Sequence, residues 1–518
     1  MTHRFRTAPV PAGIGSLLEA RAEEAGDRVA FIEGASGMAL TWGNLALEAE
    51  RWRRRATGLA GQRVGLLVGD PLAMIAAYLG ALAAGVTVAP FNPAITPHEL
   101  VEQDRLLGLA ALVTDGDADQ TRAILPSTEL WTTSRAGLAV EGGPSPTGRR
   151  RRRRGPRAAT ASLVLASSGT TGVPKIIVLP ESNLLHTAGV LVANHGLGAE
   201  DRGYCPLPLF HINALVVGVL STVVCGSSLI QVRKFSASHF WPQVEDFGAT
   251  WLNLVPAIIT VLSDRPGPPA DVARRVAFAR SASAPLPLAV RERFERHCGV
   301  SVLETYGMTE AASQIAANPR DPAERRVGSV GRPIGLDLRI VDRYRRAVGA
   351  GTVGQVEIRG ANVVRSYGQP AGSEPGFRCA TDAQGWLATG DMGHLDDDGF
   401  VYLVGRCDDV INRGGEKLYP REIEEVLLGD PAVSAAAVVG RPHPTVGEEP
   451  VAFVIATSGV DIDDAALAAR LAERCLRDLS RFKRPASITV AQHLPSGPTG
   501  KIRHAELRRA VAAVADTP

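Results

Sequence analysis

The sequence predicts an α/β protein: a large N-terminal multi-subdomain α/β domain followed by a small hinged α+β domain. Three observations lead there. At 518 residues the chain is longer than one hydrophobic core usually supports. Short apolar runs alternate with helical patterns to about residue 400, the pattern of largely parallel sheets. From Asp408 onward the character changes to a compact mixture of helices and strands. The expected division is 1–407 and 408–518.

Taken in chain order, residues 64–68 read as a strand. Asp70 followed by Pro71 is a helix start, Gly85 a stop, and "VTVAP" a second strand. The uncharged stretch 71–90 is therefore a buried strand–helix–strand unit rather than a membrane span. The arginine run at 149–154, with Arg157 beyond it, repels itself and reads as a solvated surface connector. It precedes the strand "ASLVLA". In the last part "YPREIEEVLLGDP" is a helix between Pro420 and Gly429, and "AVSAAAVVG" is a strand. "DDAALAARLAERCLRDLS" follows as an amphipathic helix capped by Asp463 or Asp464, then "SITVAQ" as another strand.

Composition removes several function classes. Hydrophobic residues at 45% and charged residues at 21% are ordinary for a globular protein. The balance of 56 Lys+Arg against 54 Asp+Glu leaves +2, no global field for nucleic acid. The six cysteines (205, 225, 298, 379, 407, 475) form no CxxC pair, which argues a reduced chain without zinc or disulfide framework. The opening "MTHRFRTAPVPAGIG" has no apolar core segment, so the expected location is cytoplasmic, with neither membrane nor nucleic acid as partner.

Five segments carry the chemistry. "SSGTTGVPKIIVL" (167–179) lies between two strand-like runs, not in the strand–loop–helix context of a Walker A loop. Gly169 and Gly172 permit close backbone approach, Ser167, Ser168, Thr170 and Thr171 supply hydroxyl donors, and Lys175 a point charge. "LETYGMTEA" puts Tyr306, Thr309 and Glu310 in one tight turn: an aromatic face, a hydroxyl and a carboxylate for a base, a phosphate and a magnesium ion. "WLATGDMG" offers Asp391 after a bend, where a carboxylate accepts from ribose hydroxyls. "LVGRCDDVINRGGEKLYPREIE" supplies Arg406 and a glycine pair in a basic loop, and "LPSGPTGKI" presents Lys501. Singly, each is ordinary turn chemistry.

Together and in this order, the five resemble the acyl-adenylate-forming superfamily. The likeness runs from the strand near residue 64 to Lys501. The acyl-CoA synthetase branch is closest in flavour, through "PLPLFHINAL", "RSASAPLP", "GSVGRPIG" and "INRGGEKLYPREIE". The resemblance implies ATP (bound later as AMP in an acyl-adenylate), Mg2+ and coenzyme A as ligands. The loop 167–175 would hold the β- and γ-phosphates. Ser283, Ala284 and Pro285, with Glu304, Thr305 and Tyr306, would flank adenine. Thr309 would contact the α-phosphate and Glu310 the magnesium ion. Asp391 and Arg406 would hold ribose, and Asp408 would be the hinge. Lys501 would bridge acid and α-phosphate. Arg413, Gly414 and Gly415 would line the pantetheine tunnel, and His211 would stand at the carboxylate end of the acid pocket.

The implied reaction brings two anions together, a carboxylate and the α-phosphate of ATP, so positive charge and positioning matter more than a covalent nucleophile. Thioester formation follows, and a small domain on a hinge would deliver Lys501 for one step and the 413–415 loop for the other. The sequence has neither GxSxG nor HExxH, in keeping with a mechanism that uses no serine nucleophile and no zinc.

One residue departs from the family, which usually writes glycine after the loop lysine; this chain writes Ile176. Either the second strand begins a residue early, or the loop no longer closes over the phosphates. In the second case the protein would form thioester from a preformed acyl-adenylate, supplied by a separate adenylating enzyme. Two further readings are an acyl-AMP ligase loading a carrier protein and a non-catalytic nucleotide or acyl-adenylate binder. The acid pocket is expected from 210–216, 253–258, 282–284 and 305–315. No Lys or Arg stands out there to pair with a second carboxylate, and "SASA" and "AAS" are small, which favours a bulky, mostly apolar monoacid.

Overall fold

Two largely parallel sheets form the body of the large domain. The computed structural model describes residues 13–134, 137–139, 160–167, 175–371, 378–414, 416–457, 459–460, 462–496 and 502–515. The arginine run, residues 168–174, Gly415 and Lys501 lie outside them.

The first sheet has seven strands, in the order Gly137–Ala139, Glu129–Ser134, Ala111–Thr114, Arg63–Leu67, Thr87–Pro90, Ser162–Ser167 and Lys175–Pro180. It is parallel except for the two edge strands. The uncharged stretch forms the helix Pro71–Ala83, with nearly every residue buried, and Asp70 caps it by accepting from the Leu72 and Ala73 amides at 3.1 and 3.0 Å. Among the described residues no helix is long and apolar enough to cross a membrane.

The second sheet has nine strands and is parallel from Val302–Tyr306 through Phe278–Ser281, Trp251–Leu254, Arg202–Cys205 and Ser228–Gln231 to Val29–Glu33. Its inner strands are covered on both faces and so read as near-continuous apolar runs. Polar residues interrupt those runs, among them Asn253 and Arg280, and both are buried.

The expectation of parallel sheets to residue 400 is corrected beyond residue 335. Leu336–Val341, Gly354–Gly360, Leu387–Leu395 and Val401–Arg406 form an antiparallel sheet. No helix-length pattern separates these strands. Tight turns lie at 342–346 and 396–400, where Asp342 and Asp396 side chains accept from backbone amides, while a longer connection carrying the small strand pair Ser366–Tyr367 and Arg378–Cys379 joins the second strand to the third.

The small domain is a five-stranded sheet with the helices Pro420–Leu428, Asp464–Asp478 and His504–Ala515. The cap of the second is Asp463, which accepts from the Ala465 and Ala466 amides. The apolar cluster of the large domain ends at Val401, and those of the small one begin at Ile411. Between them Arg421 donates to the Leu403 carbonyl at 2.9 Å, and Glu425 accepts from the Leu288 amide at 3.3 Å.

Candidate active site

The strand Arg202–Cys205 has Ser228–Gln231 on one side and Trp251–Leu254 on the other. The chain thus leaves that strand in one direction and returns on its opposite flank, and open α/β sheets hold ligands in the crevice beyond such a reversal. A cavity of about 550 Å³ opens there, lined by His211, Asn213, Ser283, Met308 and Thr309 among others. The first sheet closes it with residues near 90–95 and 164–166. Of the segments expected to line it, 253–258 does not.

The turn after Tyr306 is set by Gly307. A Cβ at that position would lie 1.5 Å from the Ser313 carbonyl oxygen, so only glycine lets the chain fold back on itself. Asn362 pins the loop by donating to the Ala311 and Gln314 carbonyls at 3.1 and 3.0 Å. Four non-glycine residues among those described have positive φ, and three of them, Ser283, Ala312 and Ser313, border this site. Backbone strain of that kind persists where surrounding structure holds a functional geometry. The turn displays Thr309 to the cavity, with Glu310 buried beside it.

Tyr306, Asp391 and Arg406 form one cluster. Asp391 and Arg406 are cross-strand partners, joined through Arg406 Nη1 and Asp391 Oδ1 at 2.9 Å. Tyr306 donates its phenol to Asp391 Oδ2, and burial pushes that phenol's pKa well up, so it stays a donor. Glu304 and Thr305, from the same strand, turn elsewhere. Arg291 pairs with Glu304 at 3.2 Å, and Thr305 donates to the Ser281 carbonyl at 3.0 Å. Ala284 and Pro285 continue from Ser283 at the surface.

Lys175 is the last loop residue of 167–175 that the structure describes, opposite Ser167 across the hairpin. Its ammonium lies 5.3 Å from the centre of the Tyr367 ring. Burial and the neighbouring Glu310 charge raise the Tyr367 phenol, so this ring links the loop lysine to the turn carboxylate. Ile176 sits in a regular antiparallel pair with Ala166, 1% exposed, packed with Val164 and Val178. Its room comes from Gly368, which donates to the Ile176 carbonyl at 2.7 Å. A Cβ on Gly368 would stand 2.8 Å from Ile176 Cγ2 and 2.9 Å from Val178 Cγ2.

Behind the cavity lies a residue the sequence reading passed over. Arg280 is 1% exposed. Its Nη1 donates to Asn253 Oδ1 at 3.1 Å and Asn213 Oδ1 at 3.3 Å, and its Nη2 to Gln314 Oε1 at 2.7 Å. Three of those four residues fall inside the expected pocket segments, while Arg280 lies two positions before them. A lone arginine in "VAFARSAS" was the available signal. Asn213 completes the set by donating to Ser283 Oγ at 3.3 Å. His211 lines the same cavity with its Nε2 buried and unpartnered, and burial lowers its pKa, which keeps it neutral at pH 7.

In the small domain Arg413 donates to the Phe482 and Arg484 carbonyls, and Gly414 has φ of 60°. Asp408 lies in the short turn Cys407–Asp409, its carbonyl held by Arg508. Neither meets the cavity.

Comparison with known families places this geometry. A model described as AMP-binding enzyme matches residues 18–368, and one described as AMP-binding enzyme C-terminal domain matches residues 422–501. The chain is an AMP-binding enzyme. Within that family it belongs to the acyl-CoA synthetase branch, whose members are acid:CoA ligases. This AMP-binding enzyme is 37% identical to the sulfoacetate–CoA ligase of Cupriavidus necator, over 95% of its own length and 97% of the relative's. It superposes on the anthranilate CoA ligase AuaEII in complex with anthranoyl-AMP, with a TM-score of 0.83 and 25% identity over 98% and 99% of the two chains. It also superposes on the o-succinylbenzoate coenzyme A synthetase of Bacillus subtilis in complex with ATP and magnesium ion, with a TM-score of 0.78 and 26% identity over 95% and 98%.

Two outcomes follow for this AMP-binding enzyme. Ile176→Gly removes a buried side chain that Gly368 cannot replace, so urea denaturation will show the large domain destabilised by about 3–5 kcal/mol. Tyr306→Phe leaves Asp391 Oδ2 without its donor, so AMP affinity measured by calorimetry will fall about 10-fold.

Proposed function

We propose that this AMP-binding enzyme activates a carboxylic acid as its acyl-adenylate and then passes the acyl group to the thiol of coenzyme A. The single observation that carries the adenylation step is the Tyr306–Asp391–Arg406 cluster. It presents carboxylate and guanidinium together, as a ribose site needs, one turn from Thr309 and the cavity. In the first step a carboxylate oxygen of the acid bonds to the α-phosphorus of ATP, and the bond to the pyrophosphate oxygen breaks. Lys501 would bridge the two anions, and Lys175 with the rest of the loop would hold the departing phosphates. In the second step the thiol sulfur bonds to the acyl carbon, AMP leaves, and the Arg413–Gly415 loop guides the pantetheine arm.

Glu310 suits a magnesium ion. It is a buried carboxylate beside a hydroxyl, and a hard cation that keeps its waters needs only one or two protein oxygens when phosphates supply the rest. Bound there, the ion would neutralise phosphate charge. The domain boundary falls at 407/408, consistent with separate apolar cores on either side. All six cysteines are free, which fits a reducing cytoplasm.

The packing of Ile176 against Gly368 supports full competence in adenylation, because the strand accommodates the side chain without displacing Lys175. The test is acid-dependent ATP–pyrophosphate exchange. Exchange is expected in the wild type, and Lys501→Ala should lower it by roughly 100-fold or more while AMP still binds. No exchange, with thioester still made from synthetic acyl-adenylate and CoA, would mean an enzyme of the second step only. Acyl transfer to a carrier protein but not to CoA would reassign the acceptor. Ligand binding without either step would leave a non-catalytic binder.

A further inference from the structure

Arg280 is a buried cation without a counter-ion among the described residues. Among the described residues no carboxylate lies within ion-pair distance of it, and its contacts are three neutral amide oxygens. The neighbouring Cys205, whose sulfur accepts from Asn253 Nδ2 at 3.5 Å, stays a neutral thiol because burial pushes it up to about 11. His195, also nearby, is held neutral by burial, with a pKa of about 3. Burial pulls Arg280 itself down to about 9, which leaves it charged at pH 7. Such a charge is costly to bury unless something binds to it or through it.

The hydrogen bonds say where the charge is felt. Asn213 Oδ1 accepts from both Arg280 Nη1 and Asn253 Nδ2, at 3.3 and 3.1 Å. With its oxygen engaged twice, Asn213 has one orientation, its amide hydrogens turned to the Ser283 side. Gln314 is fixed in the same way, its oxygen on Arg280 and its nitrogen on the Ala316 carbonyl. Asn213, Ser283 and His211 line the cavity where the acid is placed by the reading above. Among the described residues nothing accepts the second Asn213 N–H, polarised by the guanidinium, which faces the cavity that Asn213 lines.

We infer that Arg280 is a specificity-determining positioning residue, which acts through Asn213 to select acids carrying a second anionic group. It does not touch the reacting atoms. It makes one wall of the acid pocket a fixed donor backed by a positive charge, a poor surface for an alkyl tail and a good one for a carboxylate or sulfonate. This supersedes the bulky apolar monoacid expected from the small residues, and it rests on the acid:CoA ligase reading.

The test uses the full chain, ATP, magnesium and CoA, with AMP release as readout. Dicarboxylic acids and sulfonated acids are compared with neutral monoacids of the same length. The wild type should favour the doubly anionic acids in kcat/KM by at least about 10-fold, and the sulfonate and carboxylate arms tell which anion it prefers. Asn213→Asp keeps the oxygen that Arg280 grips but replaces the donor with an anion. It should lower the preference roughly 100-fold, chiefly through KM. Arg280→Lys should retain part of the preference and Arg280→Met lose it, each compared with its own neutral-acid rate so that a folding defect cancels. A purely structural role would depress all acids alike and leave the ratio unmoved, which would overturn the inference. So would a wild type that turns over neutral acids equally well. Silence with every acid would instead overturn the ligase reading, and this inference with it.

Discussion

The site depends on a close approach between two stretches of backbone. The Ser313 carbonyl occupies the space a side chain at position 307 would need, and residues 307–314 can fold back only because that position is glycine. The consequences spread outward. Gln314 lands where its amide meets Arg280, Glu310 comes beside Tyr367, and Thr309 faces the cavity. Strain accumulates in the same loop, since Ala312 and Ser313 take left-handed conformations that non-glycine residues seldom adopt. Asn362, from a different part of the chain, holds it there with two hydrogen bonds.

Electrostatics then divides the crevice into two parts. On the side proposed for the nucleotide, Arg406 pairs with Asp391, and Lys175 lies over an aromatic ring beside the Glu310 turn. On the side proposed for the acid there is a cation whose partners, among the described residues, are all neutral. Paired charges suit a ligand recognised by shape and hydroxyl groups, whereas an uncompensated one suits a ligand that brings the missing charge. The difference comes from three amides of the second sheet and its following loops, each bonded once to the guanidinium and twice to other groups.

Much of this was legible in the residues. The helix at 71, its cap at Asp70, a cap at Asp463 or its neighbour Asp464, and the hairpin around Lys175 all follow from local signals of a few residues. Three things were not. The antiparallel sheet after residue 335 is built from apolar strands, which a pattern of alternating apolar runs does not separate from a parallel unit. The partner of Ile176 is Gly368, far along the chain, so no local reading of the loop could show that the added side chain had been given room. Arg280 was hidden for a related reason. Its meaning lies in Asn213, Asn253 and Gln314, which come together only through the order of the strands.

The docking of the small domain has a consequence of a different kind. Arg421 reaches a carbonyl of the large domain, and Glu425 reaches an amide. At both points the large domain's group belongs to the main chain: a carbonyl, which every residue type supplies, and an N–H, which every residue but proline supplies. The surface that accepts the helix Pro420–Leu428 can therefore drift in sequence without losing those two grips, while the helix itself cannot. Inheritance of the docked arrangement rests on one short segment, and that segment would travel with the small domain if the two halves of such enzymes were recombined.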